Sequence, residues 1–586
     1  MGSECQQCTG CCCRLSGAVH NAATLYGDGA ASAGEPSAEL GQRDDPGGIR
    51  AIHHARATAA ADRHSMMRWL LFILLLLAGD VRAQGLFTNI AVKPGPSSAV
   101  YSAQPYYTCN TNRYVSTTGN AGNNGLTPGT AWDMPTAAGT NVGAGTCINV
   151  APGTYNFNTV GEIDMQFGGS NATKTGYVVW RCTTMPFSFS SGVLQGEGNG
   201  CVLFNNNTTG FIYLLRWRPN VNYIIWDGFE FNGNSPGNGS VIPTFGAVAC
   251  VDAEADKTLA IPHHIWVLNS DIHGCGSSGL SFIALDWVFV IHNVWHDNSY
   301  QDCVMASGLS VFEPAGLASY TPTIGNTDYW HSTVTGFTYH YVFTYNVGYH
   351  NFDPQGACGA TANTDGEGLI LDTLDWASDV LPTNGSQAPY PYPMLVMGNI
   401  FYNNGGNGME VFSMVAADPF GNGGTHGNST GTVTFVNNTA YSNNWDTFNN
   451  GTFRAGVEIS ADQNIQTFNN VSYAVTQTGV NAACGCSNQP FLGQNGIAIT
   501  TNSWQTNLSY PAGLNNFGGG NTYPTVGVNK NLDGSNPNFV NASISNPNFS
   551  LQGGSPAIGF GQAFDLWQSG GAVDVGACDS TLTACP

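Results

Sequence analysis

Apolar and polar residues alternate in short runs along most of this chain, and the runs recur. The stretch GNIFYNNGGNGMEVF, residues 398–412, reads as a strand, a polar turn and a second strand. Its signature is Asn, an apolar residue, any residue, then Tyr or His. That motif stands at Asn293/His296, Asn346/Tyr349, Asn399/Tyr402, Asn438/Tyr441, Asn470/Tyr473 and Asn507/Tyr510, and Asp271 is expected in the Asn slot one turn earlier. A polar turn follows each motif. Next comes a Gly that opens an alternating strand: Gly279-Leu280, Gly308-Leu309, Gly368-Leu369, Gly408-Met409, Gly456-Val457 and Gly496-Ile497. The slots lie 22, 53, 53, 39, 32 and 37 residues apart. Constant strands with variable connections predict a solenoid whose insertions are confined to its turns.

The pattern specifies an all-β fold, a single-stranded right-handed parallel β-helix with long turn insertions. Each coil pairs with the coils above and below at roughly 4.8 Å, so a residue repeated at one slot stacks on itself. Asn suits a buried column because its amide both donates and accepts. The Tyr/His positions should stack beside it as an aromatic column. Counted from the strand-opening Gly, positions +1 and +3 are mostly apolar and face inward, as in Leu369/Leu371, Met409/Val411 and Val457/Ile459. Positions +2 and +4 face out.

Composition changes the picture only slightly. Charged residues are 9% of the chain, aromatics 11%, and there are 75 Gly. No heptad or long amphipathic helix competes with the strand pattern. One solenoid can use the whole length, because each coil packs only on its neighbours.

The first 65 residues differ from the rest and contain Cys5, Cys8, Cys11, Cys12 and Cys13 without a second zinc-like pair. They read as a disordered or mis-assigned leader. Residues 66–83 read as a signal peptide: Arg68, the apolar run Trp69 to Ala78, and the small-residue site Val81-Arg82-Ala83. That run is too short to span a bilayer in the mature chain. Residues 84–113 are a lead-in, 114–160 an N-terminal cap and first coil, 161–530 the β-helix and 531–586 a C-terminal coil and cap.

Export agrees with the cysteines. Of 17, five are in the leader, which leaves an even dozen; Cys109–Cys147, Cys182–Cys201 and Cys578–Cys585 are plausible local pairs. After cleavage the chain holds 9 basic and 30 acidic groups, a net charge of −21. Such a surface excludes nucleic acid and anionic membrane as partners. The expectation is a secreted monomer that meets an extracellular polysaccharide.

Two strings near the start, YVSTTGNAGNNGLTPGTAW (114–132) and INVAPGTYN (148–156), resemble the opening of secreted pectate-lyase-like β-helix proteins. Near the end, NPNFVN (536–541), NPNFSLQGGSPAIGFG (546–561) and VDVGACD (573–579) resemble the C-terminal module of bacterial β-helix repeat proteins. The resemblance implies the fold. It does not choose an activity, since lyases, hydrolases, epimerases and non-catalytic surface proteins share that fold.

Candidate chemistry gathers on three consecutive coils. Glu410 and Glu458 occupy outward +2 slots and Asp372 an outward +4 slot, with Asp365 and Glu367 before Gly368 and Arg454 before Gly456. Without a slip of register, Glu410 and Glu458 stand one strand spacing apart, roughly 5 Å. Carboxylates that close either share a proton or hold a cation, and oxygen-only ligands suit Ca²⁺. The expected calcium ligands are Glu410, Glu458, Asp372, Asp365 and Glu367. A plain acidic surface is the competing explanation. The same coils carry insertions at about 313–340, 372–393 and 413–431, bringing Trp330, His331, His340, Trp376, Tyr390, Tyr392 and His426. Trp330, His331, Trp376 and Tyr390 are the candidate sugar-binding side chains.

Other motifs carry less. Asn363-Thr364-Asp365-Gly366 and Gln301-Asp302-Cys303 imitate polygalacturonase signatures, but in reversed order. Arg216-x-Arg218, about three coils from the stripe, reads as structural, and His263-His264 as a turn before a strand. The leading expectation is a polysaccharide lyase acting on an extracellular polysaccharide, with Arg454 as base and with calcium on Glu410, Glu458 and Asp372 neutralising a uronate. Lysine is scarce, which weighs against that. A glycoside hydrolase using paired carboxylates and a non-catalytic glycan-binding protein are the alternatives.

Overall fold

The computed structural model describes residues 107–578, except 158–160, 185, 187, 191–192, 196–197, 206–211, 235–247, 255–260, 302–305, 316–338, 354–364, 375–389, 413–430, 446–454, 461–463, 475–488, 495–501, 513–515, 518–524, 526–527, 563 and 565–572. Three long sheets of parallel strands account for nearly all of them. Sheet A joins eleven strands from Thr111–Val115 to Ser503–Gln505, sheet B eleven from Gly153–Asn156 to Leu532–Asp533, and sheet C ten from Ile163–Met165 to Asn516–Phe517. The chain visits A, B and C in turn, then returns to A one rung further on. This is the parallel β-helix predicted from the repeats, and crossovers between parallel strands take the right hand.

Side-chain alternation builds the interior. On sheet C, Leu280, Leu309, Leu369, Met409 and Val457 are register partners in one column, and Phe282, Val311, Leu371, Val411 and Ile459 in another. All ten are fully buried. On sheet A, Val288, Tyr341, Met394, Val433 and Ile465 form a matching column. Parallel strands buried inside in this way read as short Val/Ile/Leu-rich runs, which is how the sequence reads.

Each corner turns on one left-handed residue. Between sheets A and B this is Asn269, His292, Tyr345, Gly398, Asn437, Asn469 and Thr506, at φ from 49° to 66°. Between B and C it is Asp297, His350, Asn403 and Ser442, at φ from 51° to 55°. Non-glycine residues seldom adopt this region, so its recurrence in register needs compensation. The asparagine ladder supplies it. Asn399 donates its backbone N–H and its Nδ2 to Asn438 Oδ1, both at 2.9 Å, and Nδ2 also reaches the Phe343 carbonyl at 2.9 Å. The same set repeats from Asn293 through Asn346, Asn438, Asn470 and Asn507, and extends to Asn531.

One expectation at the top of the ladder is corrected. Asp271 pairs with Val294, and Ser270 fills the slot above Asn293, giving its N–H to Asn293 Oδ1 at 2.9 Å. A serine hydroxyl reaches the neighbouring backbone as Asn does, so the pattern had shifted by one residue. A second ladder, Asn298–Asn351–Asn404–Asn443, runs along the corner between sheets B and C and was not anticipated. The aromatic column is present: His273, His296, Tyr349 and Tyr402 stack at 4.7–5.0 Å within 12° of parallel.

Two of the expected disulfides form, Cys109–Cys147 and Cys182–Cys201, and so does an unforeseen third, Cys250–Cys275. Cys578 is disulfide-bonded to a partner outside the described residues. A short antiparallel pair, Phe539–Asn541 with Asn548–Leu551, packs Phe539 and Phe549 on Tyr441 of the aromatic column. Among the described residues, no helix is long and apolar enough to cross a membrane. The leader and signal segment, residues 1–83, lie outside the described residues.

Candidate functional site

The outer face of sheet C carries one continuous row of register partners: Asp164, Arg216, Asp252, Ser281, Ser310, Ile370, Glu410 and Glu458. The expected acidic stripe is the far end of this row. Glu410 and Glu458 are direct partners on adjacent strands, as the alternation required. Their surroundings differ from expectation. Both are buried, 5% and 0% exposed, and so are Asp365 and Glu367 before the preceding strand. The stripe is not a solvated face.

Local hydrogen bonds explain how acidic groups persist there. Asn407 Nδ2 donates to Glu410 Oε2 at 2.6 Å and to Glu458 Oε2 at 2.9 Å, while its Oδ1 accepts from the Ala455 N–H. Ser307 Oγ donates to Glu367 Oε2 at 2.7 Å. Burial pushes the Glu410 carboxyl up to about 8; Asn407 works against the shift and Asp365 adds to it. Burial, then the nearby carboxylates, raise Glu367 well above the usual carboxylate range, and Glu458 likewise. Burial thus favours the neutral form of these carboxyl groups, and Glu410 keeps its proton at neutral pH. Among the described residues, no three His, Cys, Asp or Glu side chains form a group able to hold a metal ion. Glu367 Oε1 and Glu458 Oε1 are buried without partners. Asp372 lies in the next row, beside Phe312 and Phe412, and accepts a hydrogen bond from Thr373.

The expected insertions do leave from the ends of strands Leu309–Phe312, Leu369–Asp372 and Met409–Phe412. Arg454, Trp330, His331, Trp376 and His426 lie outside the described residues. Tyr390 is corrected. It is fully buried, its hydroxyl donates to Asp286 Oδ1 at 2.9 Å, and its ring meets Tyr341 edge-on. A phenol locked to a buried carboxylate holds the coil together and is not free for a sugar. His340 shares the same carboxylate at 2.7 Å. The His263-His264 pair stands inside strand His263–Leu268, not in a turn, and His264 stacks on Trp287 at 5.1 Å.

The near end of the row holds a charged group of which the sequence reading noted only Arg216 and Arg218, as structural. Arg216 lies between Asp164 and Asp252, each one strand spacing away. Arg218 grips Asp164 at two points, 2.5 and 2.7 Å. Arg216 makes no ion pair or hydrogen bond among the described residues, and its guanidinium sits 4.9 Å from the Tyr213 ring centroid. Asp252 is 3% exposed and its Oδ2 has no partner. Burial, and secondarily Glu254, push its carboxyl up to about 7, with Arg216 and Ser281 opposing. Glu254, half-buried two residues along, is raised by burial against the pull of Arg216. The pair Arg216-x-Arg218 is four rungs from the strand of Asp372 and five from that of Glu410. A signal was available: VDAE in strand Val248–Glu254 alternates acid and apolar residues. It was missed because Cys250 occupies the slot where later coils carry the Gly used to align them.

These features define a three-sheet parallel β-helix protein with two charged groups on one outer face. No family model matches the chain, and no curated protein matches it in sequence. Solved structures that it resembles include pectate lyase Pel9A (15% identity over 81% of this chain and 97% of that one, TM-score 0.42). Others are an alginate lyase from Paenibacillus sp. str. FPU-7 (12% identity, 70% and 98% covered, TM-score 0.32) and the A-module of a mannuronan C-5 epimerase from Azotobacter vinelandii (11%, 68% and 91%, TM-score 0.30). Likeness at this level carries no activity across.

Proposed function

We propose that this is a secreted carbohydrate-active enzyme that hydrolyses an extracellular polysaccharide on the outer face of sheet C. The observation that carries the reading is Asp252: a carboxyl pushed up to about 7, with an unpartnered oxygen, one rung from a guanidinium that has no ion pair among the described residues. General-acid catalysis needs a carboxylic acid that keeps its proton near neutral pH. Asp252 protonates the glycosidic oxygen. Asp164, gripped at both oxygens by Arg218, activates water from the other side, and Arg216 between them binds the sugar. Two strand spacings separate the carboxyl-bearing positions, roughly 9–10 Å, near the range for hydrolysis with inversion. The disulfides and the signal-like segment agree with secretion.

Elimination from a uronate is the second reading, favoured by Arg216, which has no ion pair among the described residues. The purified mature protein, incubated with neutral and uronate polysaccharides, separates the two. Hydrolysis releases reducing ends without ultraviolet absorbance from an unsaturated product; elimination gives both. Neither signal on any substrate rejects an enzyme and leaves the glycan-binding alternative.

A further inference from the structure

The corner between sheets B and C exposes a group that neither end of the sheet C row uses. Asp297 and His350 occupy the left-handed position in successive coils, with side chains 35% and 38% exposed. Asp297 is shared by two histidines: Oδ2 meets His296 Nδ1 at 2.7 Å, and Oδ1 meets His350 Nδ1. His296 continues the chain inward to Asp271, 3.3 Å away and fully buried. Burial works against charge on His296, but the hydrogen bonds and charges of Asp271 and Asp297 outweigh it and push the imidazole up to about 10. His296 thus lies between two acidic side chains, Asp271 and Asp297. Tyr300, itself buried, places its hydroxyl 3.0–3.1 Å from both ring nitrogens of His350. The His350 ring is fixed on two sides and open on another.

An aromatic wall stands beside it. Phe352 and Trp445 stack at 4.6 Å, although they belong to coils two rungs apart. The coil between presents Gly405 at that place, where a Cβ would meet the Phe352 ring at 2.7 Å. Trp445 Nε1 donates to the Asn403 carbonyl at 2.7 Å, so the indole is held in orientation. Its ring centroid is 5.9 Å from that of His350, inclined by 30°. Both rings of the wall are partly accessible.

We propose that this corner is a glycan-binding site in which Trp445 stacks on one uncharged pyranose unit and the exposed Asp297–His350 pair meets the hydroxyls on its rim. A rigid ring face next to a fixed polar edge suits a pyranose, which is apolar on its faces and polar around its rim. A protein with 38 Asp and Glu against 16 Lys and Arg selects against a uronate. A glycan as ligand rests on the carbohydrate reading above, but the binding does not depend on the chemistry at Asp252.

The test is carbethoxylation of His350 in the folded, full mature protein, mapped by peptide mass spectrometry. Probes are neutral tetrasaccharides of β-linked glucose, mannose, xylose or galactose, with tetragalacturonate as the charged comparison. At least one neutral tetrasaccharide should slow modification of His350 several-fold. Trp445→Ala should lose that protection and Trp445→Phe should keep much of it. Protection by none of the neutral probes overturns the site. So does protection that survives Trp445→Ala, or protection by tetragalacturonate equal to that by the neutral probes. Asp252→Asn should retain full protection. A protein that protects His350 yet cleaves nothing would remove the catalytic reading and leave this site standing.

Discussion

Glu410 and Glu458, partners on adjacent strands of sheet C, are bridged by one donor, the Nδ2 of Asn407. Two buried carboxyl groups with a single amide between them cannot both be ionised cheaply. Their proton content therefore links stability to pH. The folded Glu410 carboxyl titrates near 8, above its unfolded value near 4.5, so the folded state binds more protons between those limits. Stability from this group is complete below about pH 4.5 and is lost as pH rises towards 8. Glu410→Gln should flatten that decline, on the order of a few kcal/mol, in melting curves collected across the window. An unchanged slope would show that Glu410 is not the titrating group.

Calcium is the competing way to neutralise the same cluster. If protons alone neutralise the cluster, added Ca²⁺ should leave the melting temperature unchanged. A ligand that bound only the folded state would raise stability by about 2.7 kcal/mol at a hundredfold excess over its dissociation constant. A rise of that size, reversed by EDTA, would reinstate the metal.

The ladder makes a stability prediction with an internal control. Asn438→Ala removes the acceptor for two Asn399 donors and the donors to Val396 and Asn470, and should cost roughly 1–3 kcal/mol. Asn403→Gly keeps a left-handed φ of 53° available and touches no ladder bond, so it should cost little. Equal losses in denaturant titrations would remove the ladder from the account.

Tyr390→Phe separates a structural from a binding role. The change deletes a hydrogen bond to the buried Asp286 carboxylate and should cost about 1–3 kcal/mol, with glycan affinity unaltered. A stable variant with weakened glycan binding would restore Tyr390 to the surface role its loop position suggested.

The fold was readable because its determinants are local and repeated. The strand-opening Gly, the inward columns and the Asn slot recur whatever the loop length, and Asn399 makes the same bonds as Asn438. Register followed as well, which is why Glu410 and Glu458 could be paired in advance. Burial did not follow. An outward slot is solvated only if nothing from the turns folds over it, and Asn407 reaching across two strands has no signature in periodicity. Tyr390 illustrates the same limit: a tyrosine next to a long insertion looks accessible until its partner Asp286, 104 residues away, is located. Asp252 was missed, and Arg216 beside it was read as structural, because their coils lack the Gly on which the others align.

The most direct test of the central claim compares wild-type protein and Asp252→Asn on a polysaccharide and on an aryl glycoside of the same sugar. The aryl leaving group needs no protonation, so it bypasses a general acid. The polysaccharide rate should fall about 10²–10⁴-fold in Asp252→Asn, while the aryl glycoside rate is largely retained. In the wild type, kcat/KM on the polysaccharide should decline as pH rises through about 7, where Asp252 loses its proton, and that limb should vanish in the variant. Equal loss on both substrates in a correctly folded variant, or full polysaccharide activity without Asp252, would contradict the assignment of this carboxyl as the reaction's acid.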